Sequence, residues 1–144
     1  MKYEFTGLTK SFYGVTVRQI KRISDGVIGG WIESEKNLDQ DGDCFVYDNA
    51  VVSGNALVYG NAWVSDNARV SGNALVAGNA WVSGNASVYG NAWVYGDAVV
   101  SGNASVSGNA WVSGNASVYG DAVVTGNARV SGNASVSGNE VVTD

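Results

Sequence analysis

The sequence predicts an all-β fold, a three-sided parallel coil of very short strands, on three observations. A six-residue unit, Asn-Ala-x-Val-x-Gly, runs without insertion through 17 hexads from Asp43 to Asp144. Valine holds its slot in all 17, and alanine holds its own in fifteen, with Cys44 and Glu140 departing at the two ends. Side chains three hexads apart tend to be alike, which sets three hexads to a coil.

Each inference has a physical basis. A six-residue repeat cannot hold an apolar stripe on one side of a helix turning every 3.6 residues, and Gly and Asn at every sixth position weaken a helix further. Within a hexad, Ala-x-Val-x alternates inward and outward as a strand does. Gly-Asn follows, and both residues tolerate the positive φ of a sharp corner. One hexad is therefore one short strand and one bend.

Three hexads per coil give three outward columns. The first reads Leu57, Leu75, Trp93, Trp111, Arg129; the second reads Phe45, Trp63, Trp81, Val99, Ser117, Ser135. The third reads Val51, Arg69, Ser87, Ser105, Val123, Val141. Leucine falls on leucine, tryptophan on tryptophan and serine on serine. A coil of two hexads scrambles these matches, and like pairs across neighbouring strands are favourable. Seventeen hexads then make about 5.7 coils, a prism roughly 25–30 Å long at about 4.8 Å per rung.

The run Val-x-Gly-Asn-Ala-x resembles the hexapeptide repeat of left-handed parallel β-helix proteins. The left hand is implied by that resemblance alone, because the usual β-crossover is right-handed. Inside the prism, Cys44 in an alanine slot is expected to be a buried, inert thiol. Glu140 in the last alanine slot reads as an end signal, since a carboxylate is costly inside and harmless on a solvated rung.

Residues 1–42 lack the repeat and are expected to form a β-hairpin and cap, with the β-helix spanning 43–144. Lys2–Thr6 and Val15–Ile23 alternate as strands, punctuated by Gly7 and Gly14. Val27–Ile32 is expected to begin the coil, because Ile28 lies three hexads before Val46, and charged Glu33–Asp43 is expected to be looped. Arg18, Lys21 and Arg22 form a basic patch suited to docking a partner. The phrase from Gly29 to Leu38, ahead of such repeats, resembles small hexapeptide-repeat proteins of phages and prophages.

Composition narrows the function. The formal net charge is −5, with six basic groups against four acids in residues 1–36 and two arginines against nine acids thereafter. That balance argues against nucleic-acid binding, which Lys and Arg drive. There is no histidine and one cysteine, so no disulfide, no thiolate zinc site and no usual neutral-pH base. No cofactor or metal is expected. Asp48 and Asp66, stacked at one corner, offer calcium too few oxygens and read as solvated turn residues, and Asp97 and Asp121 read as Asn/Asp interchange at turns. The start opens no apolar leader and no stretch of about 20 apolar residues exists, so a soluble, cytoplasmic protein is expected, in the host cytoplasm if phage-encoded.

Many hexapeptide-repeat proteins are acyltransferases whose base is a histidine near a loop. Neither part is present in the 17 hexads, so a transferase is the third reading. The most informative surface is aromatic: Leu57, Tyr59, Leu75, Trp93, Tyr95 and Trp111 share one outward face, and Trp63 and Trp81 occupy the next. Monomers seldom expose apolar patches above about 300–600 Å². The expectation is a non-catalytic, self-associating solenoid that binds protein, a trimer by the family resemblance. A phage-encoded inhibitor or sequestering protein acting against bacterial defence is the alternative.

Overall fold

A computed structural model describes residues 1–144. Three strands come first: β1 (Tyr3–Phe12), β2 (Val15–Arg22) and β3 (Ile28–Ile32). Seventeen two-residue strands follow, one per hexad, from β4 (Phe45–Val46) to β20 (Val141–Val142). They stack as three parallel sheets, with each strand pairing the one three hexads on, as in Trp63↔Trp81, Leu57↔Leu75 and Ser87↔Ser105. These sheets are called below the Trp63, Trp93 and Val51 faces. The protein is a parallel β-solenoid of hexapeptide-repeat type with about six coils.

The hexad explains its own geometry. Val52 through Val124 and Ala50 through Ala128 are fully buried, filling the prism with alternating large and small layers. Each buried valine contributes about 1.5–3 kcal/mol. The bend is closed by a bond such as Ala56 N–H to Ser53 C=O (3.3 Å) and tied to the next rung by Asn55 N–H to Gly72 C=O (2.8 Å). Glycine is required at the bend for two reasons. Gly84 has φ +63, and a Cβ there would lie 2.9 Å from both the nitrogen and the oxygen of Gly102. Asp48 and Asp66 stand in the glycine slot with φ +58, where aspartate is among the side chains that tolerate positive φ.

The first coil departs from expectation in three places. β1 does not stop near Thr6 but runs through a bulge at Gly7 to Phe12, and Tyr13-Gly14 (φ 49 and 80) make the two-residue hairpin turn. Ile28 does not start the three-hexad register. It pairs antiparallel with Lys21, while Trp31 and Ile32 pair in parallel with Val51 and Val52, an interval two residues longer than three hexads. Glu33–Asp43 is not simply a loop: Glu35–Asn37 forms a 3₁₀ turn, and buried Leu38 bridges to Val58 at the same longer interval. The regular register starts at Phe45↔Trp63, so the two extra residues fall between Leu38 and Phe45. Parallel stacking thus begins at Trp31, ahead of the first regular hexad.

Candidate interaction surface

Stacking at an interval of three hexads turns single outward positions into ladders of side chains. On the Trp93 face, the Trp93 and Trp111 rings lie 5.0 Å apart and 4° from parallel, with Tyr95 edge-on to both at 6.4 Å. Arg129 closes the far end, its guanidinium 4.5 Å from the Trp111 ring centroid. On the Trp63 face, Trp63 and Trp81 stack at 5.2 Å and 5°, and Tyr47 meets Trp63 edge-on at 5.8 Å. The sequence-derived aromatic set is therefore divided between two sheets. Leu57, Tyr59, Leu75, Trp93, Tyr95 and Trp111 lie on one; Trp63 and Trp81 lie on the other.

These rings are held and yet open. Trp63, Trp81 and Trp93 remain 40%, 48% and 39% exposed. Rung spacing sets the distance between the rings. Between Tyr59 and Tyr95 the same column carries Ala77, which is buried. The missing bulk leaves a groove of about 390 Å³ lined by Tyr59, Leu75, Ala77, Trp93 and Tyr95.

Within the basic patch, Arg22 is engaged by the chain itself. Arg22 forms a two-pronged bond to Asp25 (3.1 and 2.9 Å), donates to the Tyr47 hydroxyl (3.0 Å) and lies 5.0 Å over Phe45. It thereby ties β2 to the Trp63 face. The Arg22 bond and the Val27 N–H hold the Asp25 carboxyl below its usual range. Lys21 is half-buried opposite Glu4, and Arg18 is exposed, 5.7 Å from the Phe5 ring. Arg69 similarly receives the hairpin tip, 5.0 and 4.9 Å from the Phe12 and Tyr13 rings.

The largest cavity, about 640 Å³, lies at the start of the prism between Lys2, Arg22, Asp25, Cys44, Tyr47 and Trp63. Its chemistry is quiet. Burial pushes the Cys44 thiol up, outweighing Lys2, whose ammonium lies 3.1 Å from the sulfur and donates to the Cys44 carbonyl at 2.6 Å. Outside the cavity lining, burial also pushes the Tyr3 phenol up, and its hydroxyl donates to the Leu38 carbonyl at 2.7 Å. No three His, Cys, Asp or Glu side chains converge to hold a metal ion, and no helix is long and apolar enough to cross a membrane.

One ordered feature goes beyond turn chemistry. The corner asparagines form amide ladders, with Asn55 donating to Asn73, Asn73 to Asn91, Asn91 to Asn109 and Asn109 to Asn127, each at 3.2 Å. Asp97 and Asp121 accept from Asn79 and Asn103 at 3.1 Å. Aspartate lacks the amide N–H of asparagine that would continue the ladder, so each ends it. Asp48 accepts the Asp66 N–H (3.2 Å) and Asp66 the Gly84 N–H (3.0 Å), so both bind the next rung. Asparagine recurring at every sixth position, together with the three-hexad coil, is the signal in the sequence.

With this geometry in place, comparison with known proteins adds a relation. The YdcK beta solenoid repeat family matches residues 52–66, 68–84, 80–96 and 86–102, all within the regular hexads. The "Uncharacterized acetyltransferase YdcK" of Escherichia coli (strain K12) is 42% identical over 66 residues, which cover 41% of this chain and 19% of that protein. The chain thus matches about a fifth of that relative's length. What is similar is the solenoid.

Proposed function

We propose that this protein is a non-catalytic β-solenoid that works by presenting rigid aromatic surfaces, first to other copies of itself. The observation that carries this reading is the pair of parallel tryptophan stacks, each at rung spacing and each partly open to water. Holding such side chains in one arrangement beforehand lowers the ordering cost of association. Fully buried, each ring covers about 150–250 Å².

The relative's name raises acetyl transfer as a second reading. Against it stand the absence of histidine from this chain and the uninterrupted run of two-residue strands, which leaves no protruding loop to wall a reaction pocket. Light scattering on the purified protein at tens of micromolar, run beside an acetyl-CoA turnover assay with amine and hydroxyl acceptors, tests both. An oligomer without turnover is expected. A monomer that consumes acetyl-CoA would overturn the proposal.

A further inference from the structure

The Trp93 face is patterned along its length in a way that specifies how two copies meet. Its rungs can be counted from the pairings. Asp39 donates its N–H to the Val58 carbonyl, as Tyr59 does to Val76 and Tyr95 to Val112, so Asp39 occupies the Tyr59 column one rung earlier. The face then reads Asp39 (Asn37 beside it is buried), Leu57/Tyr59, Leu75/Ala77, Trp93/Tyr95, Trp111/Ser113 and Arg129/Ser131. The small pair is third and the large pair fourth. The acid is at the first rung and the cation at the sixth.

Resting on the self-association reading above, we infer that two copies pack their Trp93 faces antiparallel about a twofold axis lying between the Leu75 and Trp93 rungs. That operation sets the third rung against the fourth, so the Ala77 groove of each copy receives the partner copy's Trp93 and Tyr95. It also sets the first rung against the sixth and brings exposed Arg129 to the partner's end, where Glu35, Asp39 and Asp41 stand against two cations, Lys36 and Lys2, the latter donating to the Asp41 carbonyl at 3.2 Å. Lys36 itself is turned to the corner, donating to Asn55 at 3.1 Å. A twofold interface must be complementary to itself, and this sequence of small, large, acidic and basic rungs is so only when reversed. A parallel pairing or a threefold bundle sets Arg129 beside Arg129 and leaves both grooves opposite each other, unfilled.

The contact is small. Four aromatic side chains, none more than about two-fifths exposed, together with Leu57 and Leu75 supply roughly 400 Å² per copy. About 800 Å² in all belongs to the weak class of interface. Weak, concentration-dependent association is therefore expected, with electrostatics choosing the orientation.

Sedimentation equilibrium from about 1 to 200 µM, with circular dichroism as the check on folding, tests the inference. The wild type is expected to reach twice 14.9 kDa. R129E and D39R alone are each expected to weaken the dimer about tenfold, and the two together in one chain to restore it, because each altered end again meets its opposite. A77Y continues the Tyr59–Tyr95 column, so the fold tolerates it while the groove fills, and it is expected to be monomeric. A trimer mass, a double variant no better than the singles, or an A77Y dimer overturns the antiparallel arrangement and leaves self-association standing. A wild type monomeric throughout overturns both.

Discussion

Replacing Gly102 by alanine should destabilise the protein more than replacing Gly132, although the two glycines share a conformation. Their φ values are +64 and +63, so both substitutions incur the left-handed penalty of about 1–2 kcal/mol. They differ in what the new methyl group meets. At Gly102 it would lie 2.8 Å from the nitrogen and 3.0 Å from the oxygen of Gly120, backbone atoms already fixed by the next rung. At Gly132 nothing lies within 4 Å. Overpacking of this kind typically adds about 1–3 kcal/mol. Gly132→Ala is then expected to cost about 1–2 kcal/mol and Gly102→Ala about 2–5 kcal/mol. Urea unfolding followed by fluorescence of the five tryptophans reads the difference. Equal midpoints would refute the claim that rung-to-rung contact, beyond turn conformation alone, makes glycine necessary at the bends.

Val94→Asp puts a carboxylate where a fully buried valine fills the prism, and it should cost several kcal/mol, whereas Ser105→Asp, half-exposed on the Val51 face, should be nearly neutral. Equal melting temperatures would overturn the inward and outward assignment. Asp97→Asn gives position 97 a donor for Asn115 and joins the ladders Asn61–Asp97 and Asn115–Asn133, so stability against urea should rise by up to about 1 kcal/mol; a fall would contradict it. Burial raises the folded-state pKa of both Cys44 and Tyr3, so the folded chain keeps protons that the unfolded chain gives up. Their contribution is complete below about pH 8.5, the unfolded thiol value, and declines as pH rises past it and then past about 10, the unfolded phenol value. Urea midpoints at pH 7, 9 and 10.5 should fall in that order, and a flat series would count against it.

The regular prism was legible because its interior is chemically uniform. Valine and alanine slots mark the inward side, and similar outward residues three hexads apart give the coil period without any knowledge of the fold. The first coil was opaque for the opposite reason, since it meets the same packing demand with unrelated residues. Gly29 and Gly30 sit where a Cβ would lie 2.7 Å from Phe45 and from the Val46 and Ala50 carbonyls, a need visible only once those atoms are placed. Buried Asn37 donates to the Gly54 and Ala56 carbonyls and accepts the Glu33 and Ser34 N–H groups, joining the 3₁₀ turn to the second coil. Nothing in its neighbourhood distinguishes it from a loop asparagine. The hairpin's attachment was hidden similarly: Arg22 and Arg69 lie over aromatic rings of distant segments, and charge alone does not show that contact. Of the aromatic surface, the columns were legible, while the parallel stacking within them and the groove at Ala77 required coordinates.

The central claim is that the exposed aromatic ladder joins copies of this chain. Sedimentation equilibrium of the wild type and of Trp93→Ser/Trp111→Ser, both at about 100 µM, tests it most directly. Neither tryptophan fills the prism interior, so the double variant should keep its β-type circular dichroism. The account predicts an associated wild type and a 14.9 kDa-class monomer for the variant. A folded variant that associates as strongly as the wild type would contradict it.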